Sequence, residues 1–121
     1  MKIPGDKNKI IYLGSPYSHD SIEVVNLRHK QICTIAANMM LAGKVVFSPI
    51  AHTHEMARLN NLDAEWSDFW KRQCLAMVEA CDEFGVVKLD GWTISNGLIA
   101  EAEYAKHIMK PIYEIDPKDW L

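Results

Sequence analysis

Two kinds of hydrophobic pattern alternate along the chain. Short apolar runs rich in β-branched residues recur at Lys9–Leu13, Val45–Ser48, Phe84–Leu89 and Pro111–Ile115, as in strands buried on both faces. Between them the apolar positions fall three and four apart, the spacing of helices with one buried stripe. Asp20-Ser21-Ile22-Glu23 resembles a capping box. The helix it opens runs from Ser21 to Leu41 and stops at Gly43. Its core face is Val25, Ile32, Ile35, Ala36 and Met39. Arg28 falls within that face, either snorkelling or pairing with a buried acid, or else contacting an anion. Ile50–Leu59 is expected to be helical in part. Asn60-Asn61-Leu62-Asp63 is a break, with Asp63 as N-cap of a helix reaching about Cys81. That helix carries Trp66, Phe69, Trp70, Cys74, Met77, Val78 and Cys81 on one side, an aromatic stripe of the sort that forms a core or a subunit interface. The last helix starts at Ser95 as N-cap and runs to about Met109, where Pro111 ends it. Its stripe is Leu98, Ala102, Ala105 and Met109. Residues 1–8 read as a polar lead-in, and 116–121 as a tail in which Trp120 and Leu121 dock.

Strands alternating with helices predict one α/β domain over residues 1–121, with a parallel sheet between helical layers: a flavodoxin-like, Rossmann-like three-layer sandwich. Right-handed crossovers favour the strand order 2-1-3-4. That order sets the first strand beside the third. The loops leaving their C-terminal ends, Gly14–Ser18 and Asp90–Ser95, then flank the topological switch point, where such sheets bind ligands.

The chain has 121 residues, 49% hydrophobic and 24% charged, with a net charge of −3. This suits one soluble domain and offers neither a nucleic-acid surface nor a membrane surface. No apolar run approaches the length of a spanning helix, and Met1–Lys9 is not a signal peptide, so a cytoplasmic protein is expected. The three cysteines lack a C-x-x-C pair and read as reduced core residues. In His52-Thr53-His54-Glu55 the two histidines do not share a helix face, so no metal site is expected, and no cofactor either.

Several catalytic templates fail. The first loop has neither the P-loop nor the dinucleotide glycine pattern, and Gly14-Ser15-Pro16-Tyr17-Ser18 is not a nucleophile elbow. One inward carboxylate remains. Glu101 lies on the edge of the last helix's stripe, about 60° from Leu98. A carboxylate facing the sheet is costly unless it has partners or a task, so Glu101 is either functional or half of a buried structural pair. Around it the topology gathers the hydroxyls of Tyr12, Ser15, Tyr17, Ser18 and Ser95. The helix start Ser95-Asn96-Gly97 offers amides and a dipole suited to an anion. Trp92 could stack on a flat base or simply pack. Hydroxyls and amides grip sugars and phosphates, and a carboxylate facing a sugar can attack its anomeric carbon.

Ser95-Asn96-Gly97-Leu98-Ile99-Ala100-Glu101 resembles the S-x-G-x-x-x-E helix start of the nucleoside 2-deoxyribosyltransferase-like superfamily, and Tyr12-Leu13-Gly14-Ser15-Pro16-Tyr17 resembles its first-strand motif. Asp90-Gly91-Trp92 and Ser48-Pro49-Ile50 with His52 resemble a phage and bacterial branch of unknown function within it. The likeness spans nearly the whole chain. It implies cleavage or exchange of the N-glycosidic bond of a nucleoside or nucleoside 5′-monophosphate. Glu101 would be the nucleophile, oriented by Tyr12, and Ser95 with the Gly97 amide would hold sugar or phosphate. The first loop (Gly14, Ser15, Pro16, Tyr17, Ser18), Trp92 and Asn96 would complete the substrate site. Relatives also complete their sites from a neighbouring subunit, so a homo-oligomer is expected. The chain departs from the pattern at Cys74, where relatives carry an aspartate. A thiol cannot supply a carboxylate's charge or acceptors, and Asp90 is the candidate substitute. The rival readings are a non-catalytic nucleotide-binding module and an interaction protein using Trp66, Trp70 and Trp120.

Overall fold

The computed structural model describes residues 9–121; the expected lead-in of residues 1–8 lies outside them. The elements are β1 (Ile10–Gly14), α1 (Ile22–Leu41), β2 (Val45–Phe47), α2 (Pro49–Leu59), α3 (Asp68–Ala80), β3 (Glu83–Val87), α4 (Asn96–His107) and β4 (Ile112–Ile115), followed by one 3-10 turn at Pro117–Asp119. The four strands form one all-parallel sheet in the order β2-β1-β3-β4. This is the flavodoxin-like three-layer arrangement.

Alternation along each strand divides the core in two. Ile11 and Leu13 of β1, with Val46 and Val87, face α1 and α2 and pack on Ile32, Ile35, Met39 and Ile50. Tyr12 points the other way and joins Phe84 and Val86 beneath α3 and α4, against Val78, Leu98 and Ala105. Every residue expected on the core face of helix one is buried there. Among the described residues, no helix is long and apolar enough to cross a membrane.

Differences from expectation cluster at helix ends. α1 closes as expected at Gly43 (φ 89°), where the Gly43 and Lys44 amides reach back to Met40 and Met39, a Schellman motif. At its start, however, Ser21 makes no side-chain cap. α2 is a complete helix, because Ser48 accepts from the Ala51 amide and Pro49 sits in the first turn. α3 begins at Ser67 rather than Asp63. The Asp63 carboxylate instead accepts from the Glu65 amide, closing a local turn, and its carbonyl accepts from the Trp70 indole at 2.6 Å. Trp66 therefore lies off the helix, and Phe69 is exposed. α4 ends at His107. Met109 takes the left-handed cap conformation (φ 60°) and is 88% exposed, so it is no part of the buried stripe. In the tail, Trp120 packs on the first core cluster and its carbonyl accepts from Asn38, whereas Leu121 stays exposed.

Candidate active site

The site lies where β1 and β3 end. Gly14 closes β1 directly beneath Leu98 and Phe84; a Cβ there would come within 2.5 Å of the Phe84 ring and 2.7 Å of Leu98. That close approach seats α4 on the sheet. Ser95 caps the helix by accepting from the Leu98 amide. One turn further on, Glu101 faces inward at 4% exposure. It meets Tyr12, which is wholly buried and stacked on Phe84 at 5.3 Å, and the Tyr12 hydroxyl donates to the Glu101 carboxylate. The sequence leaves open whether Glu101 pairs with a buried cation. In the structure its partners are neutral: the Tyr12 hydroxyl, and the thiol of Cys74 on α3, which borders both.

This environment sets the protonation states. Burial pushes the Glu101 carboxyl up to about 7, with Tyr12 and Cys74 holding it partway back. Burial, and then the Glu101 charge, push the Cys74 thiol up to about 12. The same two causes hold Tyr12 well above the usual phenol range. Both partners are therefore neutral donors around a carboxyl that titrates near neutrality. In the unfolded chain that carboxyl titrates near 4.5, so the folded state binds the proton more tightly. The resulting stability is fully present below pH 4.5 and is lost as the pH rises through 7. The loss amounts to ~3 kcal/mol at most.

Glu101 borders a cavity of about 60 Å³, together with Ser15, Tyr17, Ser18, Ser95 and Gly97. Among the described residues that line it, Glu101 is the only Asp, Glu, Lys or Arg. The Ser15 hydroxyl is buried and, among the described residues, has no hydrogen-bond partner. Such a group needs an external partner, because an unpaired buried hydroxyl costs about 1–3 kcal/mol. The other expected residues stand behind this wall. Gly14 and Pro16 are buried in the turn beneath it, and Asn96 is exposed at the helix start. Trp92 is partly buried against the second core cluster and does not line the cavity. Asp90 also lies outside the lining, with an exposed position and its carbonyl turned to Arg28.

Among the described residues, Arg28 pairs with no buried acid. Its guanidinium donates to the carbonyls of Tyr17 (3.3 Å), Ser18 (2.9 Å) and Asp90 (3.0 Å), tying the two switch-point loops together. Gly91 (φ 90°) makes room, since a Cβ there would lie 2.4 Å from the guanidinium. Trp66 and Trp70, part of the aromatic stripe, form one side of the cavity. Trp66 lies over Gly97, where a Cβ would sit 3.0 Å from the indole. Their spacing is compatible with a helix face, and only the unwinding of residues 63–67 reveals this wall. A second cavity of about 380 Å³ adjoins the first and shares Tyr17, Ala57 and Ala64 with it. Among the described residues, no three His, Cys, Asp or Glu side chains converge as a metal site.

Fold and site together define a parallel α/β domain with a buried carboxyl opening on the switch-point crevice. Residues 9–116 match the domain family DUF1937, a domain of unknown function, and the chain belongs to that family. No curated protein matches the chain.

Proposed function

We propose that the protein cleaves or exchanges the N-glycosidic bond of a nucleoside or nucleoside 5′-monophosphate, with Glu101 as nucleophile. The observation that carries this reading is the Glu101 carboxyl itself. It is buried, has no cationic partner among the described residues, is held by the Tyr12 hydroxyl and borders a cavity rimmed by serines. A carboxylate so placed is a poor structural element and a good nucleophile toward an anomeric carbon. Attack on C1′ breaks the bond to the base and leaves a glycosyl ester on Glu101. Water or a second base then releases the sugar. Ser15 and Ser18, with the amides at the start of α4, hold the sugar or its phosphate. The resemblance of Tyr12–Tyr17 and Ser95–Glu101 to the nucleoside 2-deoxyribosyltransferase-like superfamily supports the same chemistry.

Free base released from a panel of nucleosides and their monophosphates tests this reading. Turnover of at least one member is expected; ligand-dependent melting shifts with no release from any member would point to the alternative. That alternative, a non-catalytic nucleotide-binding module, is favoured by one observation: a thiol, Cys74, stands where the related enzymes place an aspartate.

If the enzyme reading holds, kcat/KM rises as the pH passes through about 7, where Glu101 becomes ionised. Cys74→Ala removes a neutral donor from that carboxylate and should move this limb to higher pH, as a pH–rate profile would show.

We further propose a cytoplasmic homo-oligomer, because Phe69, Ile94 and Ile99 are exposed apolar side chains on α3, α4 and the loop before α4. Light scattering should give at least twice the monomer mass at micromolar concentration.

A further inference from the structure

Departure of a base needs a proton, and the expected substitute donor is misplaced. Asp90 lies outside the cavity lining. The Cys74 thiol is engaged with Glu101 and Tyr12, on the nucleophile rather than the leaving group. The remaining titratable side chain of the lining is Tyr17. Its hydroxyl lies 2.6 Å from Nδ1 of His54, which is 8% exposed on α2. His54 is in turn stacked on His29 of α1, with ring centroids 3.7 Å apart and planes within 14°. Beyond this packing, the His54 imidazole is hydrogen-bonded to a hydroxyl that lines the cavity.

We infer that Tyr17 is the general acid toward the leaving base and that His54 is the proton reservoir behind it. This rests on the glycosidic reading above. The cycle begins with His54 as imidazolium, its Nδ1–H donating to the Tyr17 oxygen, which frees the Tyr17 hydrogen for the cavity. As Glu101 attacks C1′, the electron pair of the C1′–N bond goes to the base nitrogen. That nitrogen takes the Tyr17 proton, and Tyr17 takes the His54 proton. The products are glycosyl ester, neutral base, tyrosine and neutral imidazole. In hydrolysis, water attacks the ester at C1′. Its proton passes through Tyr17 to His54, the sugar gains a hydroxyl, and Glu101 leaves as carboxylate. Protons and charge balance over the cycle.

The surroundings fit one shared proton. Burial, and then the charge of His54, lower the affinity of His29 for a proton, against the opposing pull of Glu55. Burial raises Tyr17, keeping it a phenol between transfers. His19, Asp20 and Arg58 line the second cavity along with His54, and Arg58 is engaged by Glu55. His29 also contacts the Cys33 sulfur at 3.4 Å.

The test compares leaving groups. Wild type, Tyr17→Phe, His54→Gln and Glu101→Gln are assayed on the best nucleoside and on the 4-nitrophenyl glycoside of the same sugar, whose phenolate departs without a proton. Tyr17→Phe is expected to lose roughly 100-fold or more in kcat on the nucleoside and far less on the nitrophenyl sugar. His54→Gln should show the same split at smaller size, while Glu101→Gln loses both activities. Equal losses on both substrates, or a Tyr17→Phe enzyme as active as wild type, would overturn the assignment. If Tyr17→Phe does not fold, the split in His54→Gln decides alone. Wild type inactive on both substrates would sink the glycosidic reading instead, and this inference with it.

Discussion

Glu101→Gln is expected to abolish turnover and stabilise the protein at the same time. The amide keeps the shape of the carboxylate and can still accept from the Tyr12 hydroxyl, but it cannot attack C1′. Loss of a group that forms the covalent intermediate costs on the order of 10⁴-fold or more in kcat. On the proposed reading ligand binding survives, because the gripping is assigned to Ser15, Ser18 and the α4 amides. Stability moves the other way. Glu101 is buried with neutral partners, and its carboxyl titrates near 7 instead of 4.5. Above pH 7 the native state must therefore carry a charge that it disfavours, and the glutamine does not. The variant should be more stable than wild type by up to ~3 kcal/mol at pH 8, with the difference vanishing toward pH 4. Thermal melts across that range measure it. A structural partner would behave oppositely, its loss lowering stability at neutral pH.

The second large effect is expected at Gly14. Its missing side chain lets α4 rest on β1, and a methyl group there would overlap the Phe84 ring and Leu98. Both neighbours are buried core residues, so relief requires moving the Phe84 ring of β3 and the Leu98 side chain of α4. Gly14→Ala should cost ~2–3 kcal/mol, seen as a lower urea midpoint with an unchanged slope. It should also lower turnover, because Phe84 stacks on Tyr12 and Leu98 shares α4 with Glu101, so displacing them disturbs the Tyr12–Glu101 contact. Gly85→Ala is the natural comparison. The Cβ there would come 2.5 Å from the Ile115 Cδ1 atom, the tip of a flexible side chain on the opposite face of the sheet. That variant should lose stability without a matching loss of turnover. Equal activity losses in the two would show that the seating of α4 does not govern the site.

Much of this architecture can be read from the chain. The four apolar runs and intervening periodicities lead directly to the parallel sheet and its order, because chirality and crossover rules leave few alternatives. Glu101 was legible because a carboxylate on an apolar stripe has a physical cost that a solvated one lacks. The contact with Tyr12 was implied by the family resemblance rather than by periodicity. What stayed hidden depends on side chains meeting across distant elements. Asp63 has the chemistry of an N-cap, yet it caps a turn, and the helix waits for Ser67. That shift turns Trp66 and Trp70 from an apolar stripe into a wall of the cavity. Arg28 finds backbone carbonyls rather than a carboxylate, a partnership without a sequence signature. The His54 pairing joins residues from the first loop, α1 and α2, and spacing along one helix gives no hint of it.

The central claim is that Glu101 bonds covalently to the sugar. The most direct measurement uses a 2-deoxy-2-fluoro nucleoside, in which the electron-withdrawing fluorine slows breakdown of the glycosyl ester. Intact-protein mass spectrometry after incubation should show one added fluorosugar on wild type and none on Glu101→Gln. Peptide mapping should place the added mass on Glu101. An adduct on any other residue, or an unmodified wild-type protein that nonetheless releases base from the same compound, would contradict the account.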